Sequence, residues 1–307
     1  MAQPRKGLIR LLTVILFGIL FLWPVRITGT PVAAQDPGEA GCFLWEVVAE
    51  TGPSYLLGSV HLGTDDLYPL PAKIEEAYES SSFLVVEANI LAVEEEELFS
   101  LMHSFAINPG FRSVEQYISE EEYAMLQQVL AELGLDIAQL SFCRPWYLAN
   151  LITSLRFINA GFNPDLGIDV YFLQKAGGNK DILELESLEF QFMLFSELPP
   201  ELEHLYLREA LTTSREEFAE ETRRLLEAWK TGDTGLLEEI SFSKEKDAAY
   251  QEFYKRLISQ RNVAMVAKIE EYMKKGTAFI VVGAAHLVGE DGIVELLRKR
   301  GYTVRQL

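Results

Sequence analysis

Residues 277–304 read TAFIVVGAAHLVGEDGIVELLRKRGYTV, and this stretch decides the fold class. The apolar run Ala278 to Val282 closes on Gly283-Ala284-Ala285-His286, which predicts a buried strand with a histidine at its carboxyl end. Downstream, residues 292–301 carry a cationic last turn and Gly301, the signature of a helix and its C-cap. Tyr302-Thr303-Val304 then reads as a further strand. A strand–loop–helix–strand unit belongs to α/β sheets, where ligands bind beyond the carboxyl ends of strands. The same spacing occurs once more, at Gly58-Ser59-Val60-His61, again after an apolar run.

The rest of the chain supports a sheet built from both ends of the sequence. Residues 43–49 and 54–60 flank Glu50-Thr51-Gly52-Pro53 and read as a hairpin. A short helix is expected over 72–78, then a buried strand, Phe83-Leu84-Val85-Val86, ending at Glu87. From about 92 to 275 helices dominate, with Ser119 and Glu122 set as a capping box and Pro145 opening an apolar helix to about Ala160. Helices are also expected over 168–176, 203–230, 234–240 and 244–274, with a short strand at Ile182 to Glu186. The expectation is an α/β domain over 42–307, with a central mixed or mostly parallel sheet and a large helical insertion.

Residues 1–34 look like a signal peptide: Arg5, Lys6 and Arg10 precede the apolar run 11–23, and Val32-Ala33-Ala34 offers a cleavage site. The run is short for a membrane span, which takes about 20 apolar residues. Residues 35–41 form a polar linker. Ala40-Gly41-Cys42 resembles a lipoprotein site, but Glu39 stands where an apolar residue belongs. Secretion or residence in the cell envelope is expected, with membrane attachment only through an uncleaved N-terminal segment. Of the 27 basic residues four lie in 1–34, so the mature chain sets 23 against 46 acidic ones. That balance argues against nucleic acid as a partner. Two cysteines, Cys42 and Cys143, make no disulfide framework and no zinc-binding cluster.

Four histidines can be weighed singly. His103 and His204 lie within predicted helices and read as surface or packing residues. Either of His61 and His286 alone reads as structural, yet the shared Gly-x-x-His context suggests convergence on one centre. Glu87 ends an apolar strand, where it needs an ion pair, a helix N-terminus or a metal. Two imidazoles and a carboxylate could form an open divalent-metal site, able to lower the pKa of water and polarise a carbonyl. Glu184 and Glu186 are candidate ligands or general bases. Arg261-Asn262 could bind a substrate carboxylate or an oxyanion, or Arg261 could simply pair with an acid. No Gly-x-Ser-x-Gly elbow, phosphate-binding loop or His-Glu-x-x-His motif is present.

Several blocks together resemble the TraB/GumN family, which is related to the Tiki metalloproteases of animals. They are residues 55–63 (YLLGSVHLG), Val85-Val86-Glu87-Ala88, Gly167-Ile168-Asp169 with Ala176, Leu185-Glu186-Ser187 with Gln191, Gln260-Arg261-Asn262, and 283–289 (GAAHLVG) with Gly301-Tyr302. Ser59 stands where the family usually has Thr and keeps the hydroxyl. The resemblance implies a fold like that of erythromycin-esterase and ChaN-type proteins, and a manganese or cobalt ion held by His61, Glu87 and His286. It implies a pocket lined by Glu186, Arg261 and Asn262. Combined with the reading of the residues, Glu87, Glu186 and Arg261 are the expected catalytic groups, with Arg261 and Asn262 binding substrate. The expected activity is hydrolysis of a peptide or protein by metal-activated water. The alternatives are a non-catalytic peptide- or metal-binding protein and an esterase on the same scaffold.

Overall fold

The structure, a computed structural model, describes residues 42–242 and 248–307, so the expected signal peptide (1–34) and linker (35–41) lie outside the described residues. Six strands form one sheet: β1 (Leu44–Ala49), β2 (Gly52–Ser59), β3 (Phe83–Val86), β4 (Asp181–Glu184), β5 (Ala278–Gly283) and β6 (Thr303–Gln306). Their order is β4-β3-β5-β2-β1-β6. The run β4-β3-β5-β2 is parallel, while β1 is antiparallel to both of its neighbours. Every residue of β3 and β5 is buried, because helices cover both faces of the sheet there and a continuous apolar run is what such a strand requires.

The helices are α1 (Ala72–Ser80), α2 (Glu95–Ala106), α3 (Glu120–Glu132), α4 (Ile137–Leu140), α5 (Pro145–Asn159), α6 (Ile168–Ala176), α7 (Leu188–Ser196), α8 (Pro200–Thr212), α9 (Arg215–Thr231), α10 (Thr234–Ser241), α11 (Ala248–Tyr254), α12 (Gln260–Met273) and α13 (Ile293–Lys299). Local signals were accurate for most of them. Gly52 turns the β1–β2 hairpin at φ 119°, and Ser119 and Glu122 form both bonds of the expected capping box. Two expectations need correction. The single helix over 203–230 is two helices, because Ser214 caps α9 with a second capping box to Glu217 and ends α8 just before it. The helix from 244 is interrupted by a π-helical turn, Lys255–Ser259, directly before Arg261; residues 243–247 lie outside the described part.

One further difference concerns the C-terminal unit. β6 does not lie beside β5. The chain crosses β2 and β1 through α13 and pairs with β1 at the far edge. The helical insertion is likewise split, since β4 returns to pair with β3 at the other edge. The consequence for function is that four adjacent parallel strands end on the same side. In sheet order their ends carry Glu186, Glu87, His286 and His61. Neighbouring strands lie about 4.8 Å apart, so these side chains start within reach of one another.

Candidate functional site

β2 and β5 run in register, with Gly58 opposite Val282 and Ser59 opposite Gly283, so the two Gly-x-x-His segments leave the sheet side by side. Neither Gly58 nor Gly283 needs a positive φ. Gly58 is needed for close approach: a Cβ there would meet the Phe43 ring at 2.5 Å and Ala284 at 3.1 Å. Beyond β2, the N–H of Ile168 bonds to the Val60 carbonyl and docks the start of α6 against the strand end. A Cβ on Gly167 would lie 2.4 Å from the His61 carbonyl oxygen, so only glycine lets α6 approach this closely. That docking places Asp169 Oδ1 3.0 Å from His61 Nδ1, as an ion-pair contact between two buried side chains.

His286 sits in a short 3₁₀ turn, Ala284–His286, and is fully buried. Asn262 fixes its ring. The Asn262 amide nitrogen donates to the backbone oxygens of His286 (3.3 Å) and Asp291 (2.7 Å), which leaves Asn262 Oδ1 as the acceptor facing His286 Nδ1. Nδ1 therefore carries the proton, and Nε2 presents a lone pair. That Nε2 is buried with no hydrogen-bond partner, and so is Nε2 of His61. His286 thus has a hydrogen-bonded Nδ1 and an unsatisfied Nε2, whereas His61 has only the charge contact to Asp169 at Nδ1 and no hydrogen-bond partner at either ring nitrogen.

Glu87 lies between these groups and Arg261. Its Oε1 accepts from the Gly283 N–H at 2.6 Å and stands 3.9 Å from His286 Nε2. Its Oε2 accepts from Arg261 Nη2 at 2.8 Å and from the Gln191 amide at 3.3 Å. Arg261 also binds Glu186 through Nη2 (2.6 Å) and Nε (2.8 Å), and Nη1 donates to the Leu257 carbonyl of the π-helical turn. The guanidinium is thereby enclosed, with its side chain 2% exposed. Glu186 is held beside Glu87 because backbone pairing continues past β4, Glu186 N–H to the Glu87 carbonyl.

The charges separate the two histidines. Burial, with the Arg261 and His61 charges behind it, holds His286 well below the ordinary histidine pKa, so its ring is neutral. Burial alone would lower His61 too, but Asp169 and then Glu87 outweigh it and raise the value. Burial pushes Glu87 up, against the opposing charges of Arg261 and His61.

Six of the seven candidate residues of the sequence meet in this cluster: His61, Glu87, Glu186, Arg261, Asn262 and His286. Glu184 stands outside it, its carboxylate accepting from the Asn89 N–H. Asn262 is wholly buried behind His286. Asp169 and Gln191 were named only within the motif blocks and not as site residues, although the carboxylate in the first turn of α6, directly after Gly167 and Ile168, was a visible signal. Among the described residues no three His, Cys, Asp or Glu side chains are gathered as a ready-made metal cage. In this cluster the imidazole nitrogens left without a hydrogen bond are Nε2 of His286 and both ring nitrogens of His61.

A void of about 10 Å³ adjoins His61, lined also by Ser59, Glu87, Asp169 and Gln191; it admits one water-sized body. A groove of about 850 Å³ runs along the exposed edge of β4, between α7 and α12, with Glu186 and Arg261 at its inner wall.

An α/β domain with two buried histidines just beyond adjacent parallel strand ends is thus the class of protein that fold and site define. The chain belongs to the TraB/PrgY/gumN family, whose profile matches residues 43–306. It is 28% identical over 266 residues to a Shigella flexneri protein described as "Uncharacterized protein YbaP", covering 83% of this chain and 93% of that one. The corresponding protein of Escherichia coli K12 is 27% identical over 266 residues, with the same coverage. An uncharacterized protein of Treponema pallidum is 23% identical over 272 residues, covering 83% of this chain and 80% of the relative. No solved structure matches, so the likeness to erythromycin-esterase and ChaN-type folds stays an expectation from the motifs.

Proposed function

We propose that this protein is an exported hydrolase of peptides or proteins that works with a divalent cation, manganese or cobalt. The observation that carries the reading is the Nε2 of His286, a buried lone pair with no donor, on a ring whose proton is fixed at Nδ1 by Asn262. An unsatisfied buried acceptor is costly, and a cation at Nε2 removes the cost. When bound, such an ion supplies an acidified water and polarises a carbonyl. His61 and His286 would hold it, with Glu87 alongside. Glu87, paired with Arg261 through Oε2, would take the proton at Oε1, beside His286, and return it. Arg261 keeps Glu186 and Glu87 apart from solvent and fixes both in place.

The substrate would lie in the groove beside β4, which ends at Glu186 and Arg261. Outward backbone groups of an edge strand suit an extended peptide. Export rests on the basic flank, apolar run and small residues of 1–34; among the described residues no helix is long and apolar enough to cross a membrane.

A second reading keeps the ion and drops the chemistry. The void beside His61 has room for one small body, and Arg261 already donates through Nε, Nη1 and Nη2, which suits a protein that binds a metal or peptide without turnover. A peptide-library cleavage assay with manganese or cobalt, on wild type, His61→Ala and His286→Ala, separates the two. Cleavage lost in both variants supports the hydrolase. Equal activity in all three sinks it, and metal retention without product supports the binding protein.

A further inference from the structure

We propose that Ser59 is a binding residue of the same centre, its hydroxyl oxygen completing the donor set that the two histidines begin. The inference rests on the metal reading above. Ser59 closes β2 opposite Gly283 and is 1% exposed. Its Oγ has no hydrogen-bond partner and lines the same void as His61 and Glu87.

A buried hydroxyl is ordinarily hydrogen-bonded to the backbone, as those of Ser54, Ser81 and Thr222 are here. Ser54 Oγ accepts from the Ala278 N–H, while Ser81 and Thr222 donate to the carbonyls of Ala77 and Phe218. Ser59 has no such partner, and an unpaired buried hydroxyl is unfavourable unless something fills the space before it. Four polar atoms are therefore without a hydrogen bond at the adjoining ends of β2 and β5: Ser59 Oγ, both ring nitrogens of His61, and His286 Nε2.

Glu87 does not remove the need for another donor. Its oxygens already accept from Gly283 N–H, Gln191 and Arg261. A neutral hydroxyl adds an oxygen donor without adding charge next to a carboxylate. Two imidazole nitrogens with hydroxyl or water oxygens suit a borderline cation such as cobalt better than a thiolate-seeking ion. The Oγ–H remains able to donate to Glu87 or to a water sharing the void.

The test is a cobalt titration of the full chain, read by visible absorption and by the metal-dependent rise in Tm, for wild type, Ser59→Ala and Ser59→Thr. Ser59→Ala is expected to bind cobalt about ten-fold more weakly or worse, with a shifted absorption band. Ser59→Thr, which keeps the hydroxyl, is expected to return affinity and spectrum to those of wild type. An alanine variant with unchanged affinity and spectrum overturns the assignment, as does a threonine variant that behaves like alanine. Wild type that binds no cobalt overturns the metal reading itself, a result distinct from both.

Discussion

Replacing Arg261 by Met is the sharpest test of how the site is held together. The guanidinium is the cation shared by Glu87 (2.8 Å) and Glu186 (2.6 Å), and all three side chains are under 10% exposed. Methionine fills much of the volume but strands two buried carboxylates. Breaking a buried pair by removing one partner costs about 3–5 kcal/mol. For a domain of this size each kcal/mol lowers Tm by roughly 2–4 °C, so a fall of about 6–20 °C is expected at pH 7. The loss should depend on pH. Burial already raises Glu87, and removal of Arg261 takes away the largest opposing charge, so its folded pKa rises further above the unfolded value. A carboxyl with a raised folded pKa is tolerated below the unfolded pKa and costs stability as pH rises through the interval up to the folded pKa, by about 1.4 kcal/mol per unit. The gap between variant and wild type should therefore narrow from pH 7 to pH 5. Urea unfolding followed by far-UV circular dichroism at both values measures it. A variant within about 1 kcal/mol of wild type at pH 7, or a gap that ignores pH, would refute the assignment of Arg261 as the shared counter-ion.

Three further outcomes follow from other parts of the structure. Gly58→Ala should destabilise by about 1–3 kcal/mol, since its methyl meets the Phe43 ring and Ala284; an unchanged urea midpoint would contradict the close packing of β2 on β5. Cys42 and Cys143 are unpaired and buried, and burial pushes Cys143 up to about 11, so iodoacetamide at pH 8 should label neither thiol in the native chain and both in denaturant. Rapid native labelling would count against that burial. Ile182→Pro should spare the fold, because strand alternation from the Leu185 N–H, which bonds to β3, turns the Ile182 N–H outward. It should weaken binding of extended peptides in the groove; unchanged peptide affinity with intact folding would remove β4 as the docking edge.

Much of this was legible because it was local. Residue types at turns, caps and strand ends gave the β1–β2 hairpin, the buried β3 and β5, and the capping box of α3. The pairing of two Gly-x-x-His segments was a local echo that the register of β2 on β5 turned into contact. What sequence did not show was long-range. Nothing in residues 302–304 says that β6 crosses two strands to reach β1, and nothing near 181 says that β4 pairs with β3. The role of Arg261 was open for the same reason. Either a substrate carboxylate or a protein acid could have met it, and the acids that do are 75 and 174 residues away in sequence. Asp169 was overlooked because its partner, His61, lies across the close contact that Gly167 permits. The helix break at Ser214 is different: Ser214-x-x-Glu217 was a readable cap that the surrounding polar run concealed.

Anomalous diffraction from crystals soaked in cobalt bears most directly on the centre of this account. One peak is expected, at bonding distance of about 2.0–2.1 Å from both His61 Nε2 and His286 Nε2. No peak at the ends of β2 and β5, or a peak touching neither imidazole, would contradict it.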